Sequence, residues 1–173
     1  MLTAINRGSA WRAVIVAVPL LLVLGGLSAK LSGSTEDNAW FQSLTLPSLQ
    51  PPGAVFGIAW SILYTLMGIA VALVWAHKRA PGRRLALGLF AVQLAINLSW
   101  SPTFFAAHLI LPALVVIALL FAAAVSTTWA FGRVSRVAMW LMVPYLVWIV
   151  FASVLNAQVL MLNPTADAFQ LGV

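Results

Sequence analysis

The chain has 173 residues, 63% of them apolar types and 7% charged, with nine basic and three acidic side chains and no cysteine. A typical soluble domain carries roughly 25% charged residues, so this composition leaves too little polar surface to coat a globule in water. A lipid-solvated chain is implied, and disulfides, thiolate metal sites and cysteine nucleophiles are excluded.

Five charge-free stretches are long enough to cross about 30 Å of hydrocarbon. The first runs from Ala13 to Ala29, its helix continuing to about residue 31. It follows Arg7 and Arg12 as the core of a cleavable signal would, but its apolar run exceeds the roughly 7 to 15 residues of a signal, so it reads as a helix. Gly25-Gly26 on it suits close helix packing. Residues 32–53 form the one long connection, reading Trp40-Phe41-x-x-Leu44-x-x-Pro47-x-x-x-Pro51-Pro52-Gly53. Prolines restrict that backbone while Trp40 and Phe41 supply apolar surface to bury, which predicts an ordered lid; a plain helix start with interfacial aromatics fits the pattern equally. The other spans are Ala54 to Ala76, Leu85 to Ala107, Leu109 to Phe131 and Val137 to Asn163. The fold class is an all-α integral membrane protein, one domain of five transmembrane helices over residues 1–173.

Charge orients this bundle. The amino terminus and the loops after the second and fourth spans hold Arg7, Arg12, Lys78, Arg79, Arg83, Arg84, Arg133 and Arg136, whereas Lys30, Glu36, Asp37 and Asp167 fall on the other side. The positive-inside rule then puts the amino terminus in the cytoplasm and the carboxyl terminus outside. Basic residues confined to short loops at helix ends report topology, so no nucleic-acid partner is expected. Helical spans favour a bacterial inner membrane over an outer one, where barrels are the rule.

Eight tryptophans divide into two groups. Trp11, Trp40, Trp75, Trp129 and Trp140 lie near span ends, where an indole suits the headgroup interface. Trp60, Trp100 and Trp148 lie within spans, where each indole N–H wants a buried partner. At about 1.5 Å per residue, Trp60, Asn97, Trp100 and Asn156 share a level roughly 9 to 15 Å from the outer surface. Gln93, Asn97, Trp100 and Ser101 follow one face of the third span. Polar side chains in hydrocarbon are interhelical hydrogen bonds or ligand contacts. Their shared depth predicts a pocket opening outward between the first, second, third and fifth spans, the fourth showing only aliphatics at that level. No Asp, Glu, Lys, Arg or His lies within a span, which argues against ion-coupled transport; His77 and His108 sit at loop edges without metal-ligand spacing, so no metal is expected.

Four blocks give the chain a family likeness: Trp40-Phe41-x-x-Leu44 with Pro51-Pro52; Trp60-x-x-Leu63-Tyr64-x-x-Met67-Gly68; Gln93-Leu94-x-x-Asn97-x-x-Trp100-Ser101-Pro102-x-Phe104-Phe105; and Pro144-Tyr145-Leu146-x-Trp148-x-x-Phe151-Ala152-x-x-Leu155-Asn156. Together they resemble the tryptophan-rich sensory protein and translocator protein family, whose eukaryotic members are called peripheral benzodiazepine receptors. The resemblance implies a five-helix bundle that commonly dimerises and binds flat hydrophobic ligands, porphyrin or haem in bacteria, with no resident cofactor required. Positions matching its pocket are Trp60, Tyr64, Asn97, Trp100, Trp148 and Ala152, with Gln93, Phe56 and Asn156 as secondary candidates. Trp60 and Trp148 also match the pair associated in some bacterial relatives with light- and oxygen-dependent breakdown of protoporphyrin. Leu46, Ser48 and Leu49 stand where the family's loop usually has Lys and Trp, and Gly53, Ala54 and Val55 where a further Trp often follows the prolines. Ala157 and Met161 replace the Tyr and the basic residue of a sterol-recognition pattern. Three functions follow: a sensor or carrier for a tetrapyrrole, an enzyme that photo-oxidises bound porphyrin, and a membrane assembly factor without a small ligand.

Overall fold

The computed structural model describes residues 7–34 and 37–166, apart from the Arg7 side chain; the acids Glu36 and Asp167, used above for orientation, lie outside them. Six α-helices follow in order: α1 (Arg7–Leu31), α2 (Ala39–Ser43), α3 (Gly53–Ala76), α4 (Arg83–Ser101), α5 (Ile110–Val134) and α6 (Arg136–Leu162). Five of them are long and apolar enough to cross a membrane, and no strand occurs among the described residues. The five expected spans are therefore all present, and α2 is an addition within the connection between the first two.

Order around the bundle follows contact rather than sequence. The α1 helix packs chiefly on α3, α3 on α6, α6 on α5 and α5 on α4, while lighter contacts of α4 with α1 and α3 close the ring. Glycine sets the closest approach. A Cβ on Gly68 would lie 2.8 Å from the Val18 Cα, and one on Gly25 would overlap the Tyr64 ring, so α1 can lie against α3 only with these side chains absent. Gly26 has open space where its Cβ would be, so the expectation of close packing holds for Gly25 alone.

The third span differs from the single helix predicted to Ala107. Regular α4 stops at Ser101 and passes into a π-helical turn over Pro102–Ala106. Pro102 has no N–H to give the Leu98 carbonyl four residues back. That carbonyl instead accepts from the Ser28 hydroxyl at 2.8 Å, which ties α1 to α4. The wider turn then closes with Ala107 N–H donating to the Pro102 carbonyl at 2.9 Å. His108 follows in the left-handed region at φ 57°.

At the end carrying Arg83, Arg133 and Arg136 the core is solid. Phe90 and Phe131 stack at 5.8 Å, among Val74, Ala86, Ala130, Ala138 and Met142, all buried. Trp11, Trp75, Trp129 and Trp140 are exposed there as interfacial indoles should be, and the Arg83 and Arg133 guanidiniums lie 4.7 and 5.0 Å over Trp75 and Trp129. Trp40 does not join that group. It stands at the other end, half-buried and stacked on His108 at 4.4 Å, so both of these span-end residues also make a packed contact.

Candidate functional site: a lidded cavity

The opposite end of the bundle is hollow, with a cavity of about 1110 Å³ between the helices. That is slightly above the roughly 300–1,000 Å³ of most small-molecule pockets. Residues of α1, α3, α4 and α6 line it. The fourth span contributes as well: Ile117 and Leu120 of α5 reach the cavity, a contribution that sequence depth alone did not indicate.

The roof is formed by the described residues of the connection between α1 and α3, which pack as a lid. Gly33, at φ 65°, turns the chain out of α1. Asn38 then caps α2, its Oδ1 accepting from Phe41 N–H at 2.9 Å and its Nδ2 donating to the Gly33 carbonyl at 3.0 Å. Such a cap satisfies a helix N–H that would otherwise lack a partner. Phe41 packs on Phe104 and Phe105, and Leu44 is buried beside Phe104, Ile110 and Val159. Beyond them Asn163 reads the Thr45 peptide from both sides, accepting its N–H at 2.8 Å and donating to its carbonyl at 2.9 Å. One amide at the end of α6 thus fastens the lid to the bundle.

All six primary candidates line this cavity: Trp60, Tyr64, Asn97, Trp100, Trp148 and Ala152. Phe56 and Asn156 line it too. Gln93 does not; it is fully buried behind the wall, donating to the Tyr145 hydroxyl at 2.8 Å. Its expected role as a ligand contact is corrected to one in packing, because one turn of helix places it beyond the cavity's reach.

The amides are committed first to the protein. The Tyr64 hydroxyl donates to Asn97 Oδ1 at 2.7 Å, and Asn97 Nδ2 donates to the Tyr145 hydroxyl at 3.1 Å. This satisfies groups whose burial unpaired would cost about 1–3 kcal/mol each, and it leaves Asn97 one N–H and one lone pair for a ligand. Trp100 Nε1 donates to Asn156 Oδ1 at 3.2 Å while its ring stacks on Phe104 at 5.2 Å. Asn156 in turn donates to the Ile110 carbonyl at 3.1 Å. Trp60 lies against Tyr64 at 5.3 Å and edge-on to Tyr145 at 6.3 Å. Trp148 meets Phe56 edge-on at 5.6 Å, and its buried Nε1 has no partner among the described residues, contrary to the expectation that every intramembrane indole finds one.

Tyr145 is the residue that sequence reasoning missed. It is fully buried, accepts from both Gln93 and Asn97, and supports the Trp60 ring. Its position eleven residues before Asn156 gave no hint of this, since the partners sit on another helix; only its place in a motif marked it.

A helical membrane bundle with an aromatic-walled, lid-covered cavity at one end is thereby defined. Residues 15–162 match the TspO/MBR family, and the chain belongs to that family. It is 41% identical to the tryptophan-rich protein TspO of Chlorobaculum tepidum over 80% of this chain and 90% of that one. It is 36% identical to the tryptophan-rich sensory protein of Cereibacter sphaeroides, covering 80% and 85% of the two chains. Against the human translocator protein the identity is 40%, over 70% of this chain and 73% of the other.

Proposed function

We propose that this protein is a membrane-embedded sensor or carrier that binds flat hydrophobic ligands of the porphyrin type in the lidded cavity. The single observation that carries the reading is the joint lining of one large cavity by Trp60, Trp100 and Trp148, with the Asn97 and Asn156 amides among the lining residues. Indole faces offer broad stacking area and the fixed amides orient a ligand, the combination of apolar walls and few polar groups that small molecules favour. Ligand binding then shifts the lid or the dimer. The working unit is a homodimer in a bacterial inner membrane, with the basic end of the bundle in the cytoplasm.

The test is quenching of tryptophan fluorescence by protoporphyrin in nanodiscs, in the dark, with wild type and a Trp60→Leu, Trp148→Leu double variant. Saturable quenching that weakens about tenfold in the variant is expected, a loss of about 1.4 kcal/mol from two stacking faces. Equal affinity of the two proteins would overturn the reading. Illumination of the same samples addresses the light-driven alternative, for which the unpartnered Trp148 indole N–H is the one suggestive feature. Bleaching that proceeds at one rate with and without protein removes that alternative. Absence of saturable binding, with a defined protein partner co-purifying, favours the assembly factor.

A further inference from the structure

Resting on the ligand-binding reading, the charge distribution of the cavity narrows what the ligand can be. Among the described lining residues no Lys, Arg or His occurs, and the one charged side chain is Asp37, exposed in the lid. The cation of this end, Lys30, is exposed on α1 and does not line the cavity. The remaining polar lining is neutral, made of hydroxyls such as Ser28 and amides such as Asn97. An ionised carboxylate brought into such a place loses its hydration without gaining a counter-charge, which is among the costliest transfers in protein chemistry. If it stays at the mouth instead, it meets the Asp37 carboxylate, and like charges juxtaposed at a site act against the wrong partner.

We propose that the cavity selects uncharged flat ligands over carboxylate-bearing ones of the same shape, and that Asp37 enforces the choice at its mouth. The preferred class is a neutral macrocycle or polycycle, such as an esterified or decarboxylated tetrapyrrole, in place of a free dicarboxylic acid. Leu46, 38% exposed and lining the same cavity, is where one added cation would weaken the preference most.

Protoporphyrin IX and its dimethyl ester share a ring and differ in charge, so the pair isolates the effect. Each is titrated in the dark into zwitterionic nanodiscs holding wild type, Asp37→Asn or Leu46→Lys, with protein-free nanodiscs subtracted. Because the ester also partitions more strongly into lipid, the readout is the ratio of free-acid Kd to ester Kd and its change between proteins. The ester should bind about tenfold tighter or more in wild type, with the ratio falling in Asp37→Asn and further in Leu46→Lys. A ratio identical in all three proteins, or a free acid that binds wild type as tightly as the ester, would overturn the selection while leaving the binding site intact. Quenching that saturates with neither ligand would instead overturn the binding reading itself, and this inference with it.

Discussion

The two ends of the bundle are made from the same helices and the same apolar alphabet, yet one is solid and the other hollow. At the basic end small and large side chains alternate, Ala86 and Ala130 beside Phe90 and Phe131, all of them buried. At the lid end the large aromatics stand around a space without filling it, each braced from behind by a tyrosine, a phenylalanine or an amide. The difference teaches that burial of an aromatic side chain does not tell its purpose. Phe131 fills a volume, whereas Trp60 borders one, and only the second is available to a ligand.

That contrast breaks most sharply at Phe131. Phe131→Ala should lower stability by about 3 kcal/mol through the void it leaves, measured by thermal unfolding in nanodiscs, while ligand affinity stays at wild type. A larger loss of affinity than of stability would mean the two ends are not separate. Next come two neighbours with opposite outcomes. Gly25→Leu drives a side chain into the Tyr64 ring and should cost about 2 kcal/mol, displacing the Tyr64 hydroxyl from Asn97. Gly26→Leu projects into open space at the cavity wall, so it should leave stability nearly unchanged and reduce ligand binding by occupying volume.

The lid gives a smaller effect. Asn163→Ala removes both hydrogen bonds to Thr45 and should cost about 1 kcal/mol, read as faster amide hydrogen exchange over residues 39–45 and quicker ligand dissociation. Unaltered exchange there would show that the buried Leu44 alone holds the lid. Smallest of all, Arg83→Gln removes a guanidinium from an exposed indole and should change the unfolding free energy by about 0.5–1 kcal/mol, with no effect on binding.

Much of this was legible in the residues. Continuous apolar runs gave the number of spans, because a bilayer imposes length and composition together, and their ends to within about three residues except that α1 starts six residues before Ala13 and regular α4 stops six before Ala107. The cavity was legible as a level, since Trp60, Asn97, Trp100 and Asn156 lie at matching depths along antiparallel helices. Which hydrogen bonds those amides make was not legible: Asn97 chooses Tyr64 and Tyr145 from two other helices, and helix rotation decides that. Gln93 shares that face, donating to the same Tyr145 hydroxyl, and lies one turn deeper than the cavity reaches. The π-helical turn at Pro102 was hidden because the Leu98 carbonyl, which the proline cannot serve, accepts from Ser28, seventy residues before Leu98 in the chain. The α2 helix was not legible, because five residues are too few to show a period, and its cap at Asn38 is seen only in the structure.

The most direct measurement is hydrogen exchange along the whole chain in nanodiscs with and without saturating protoporphyrin dimethyl ester. Protection concentrated in the lid over residues 39–45 and in α3 around Trp60, with the basic end unchanged, is the expected result. Protection confined to the basic end, or none in the lid at saturation, would contradict a ligand site beneath it.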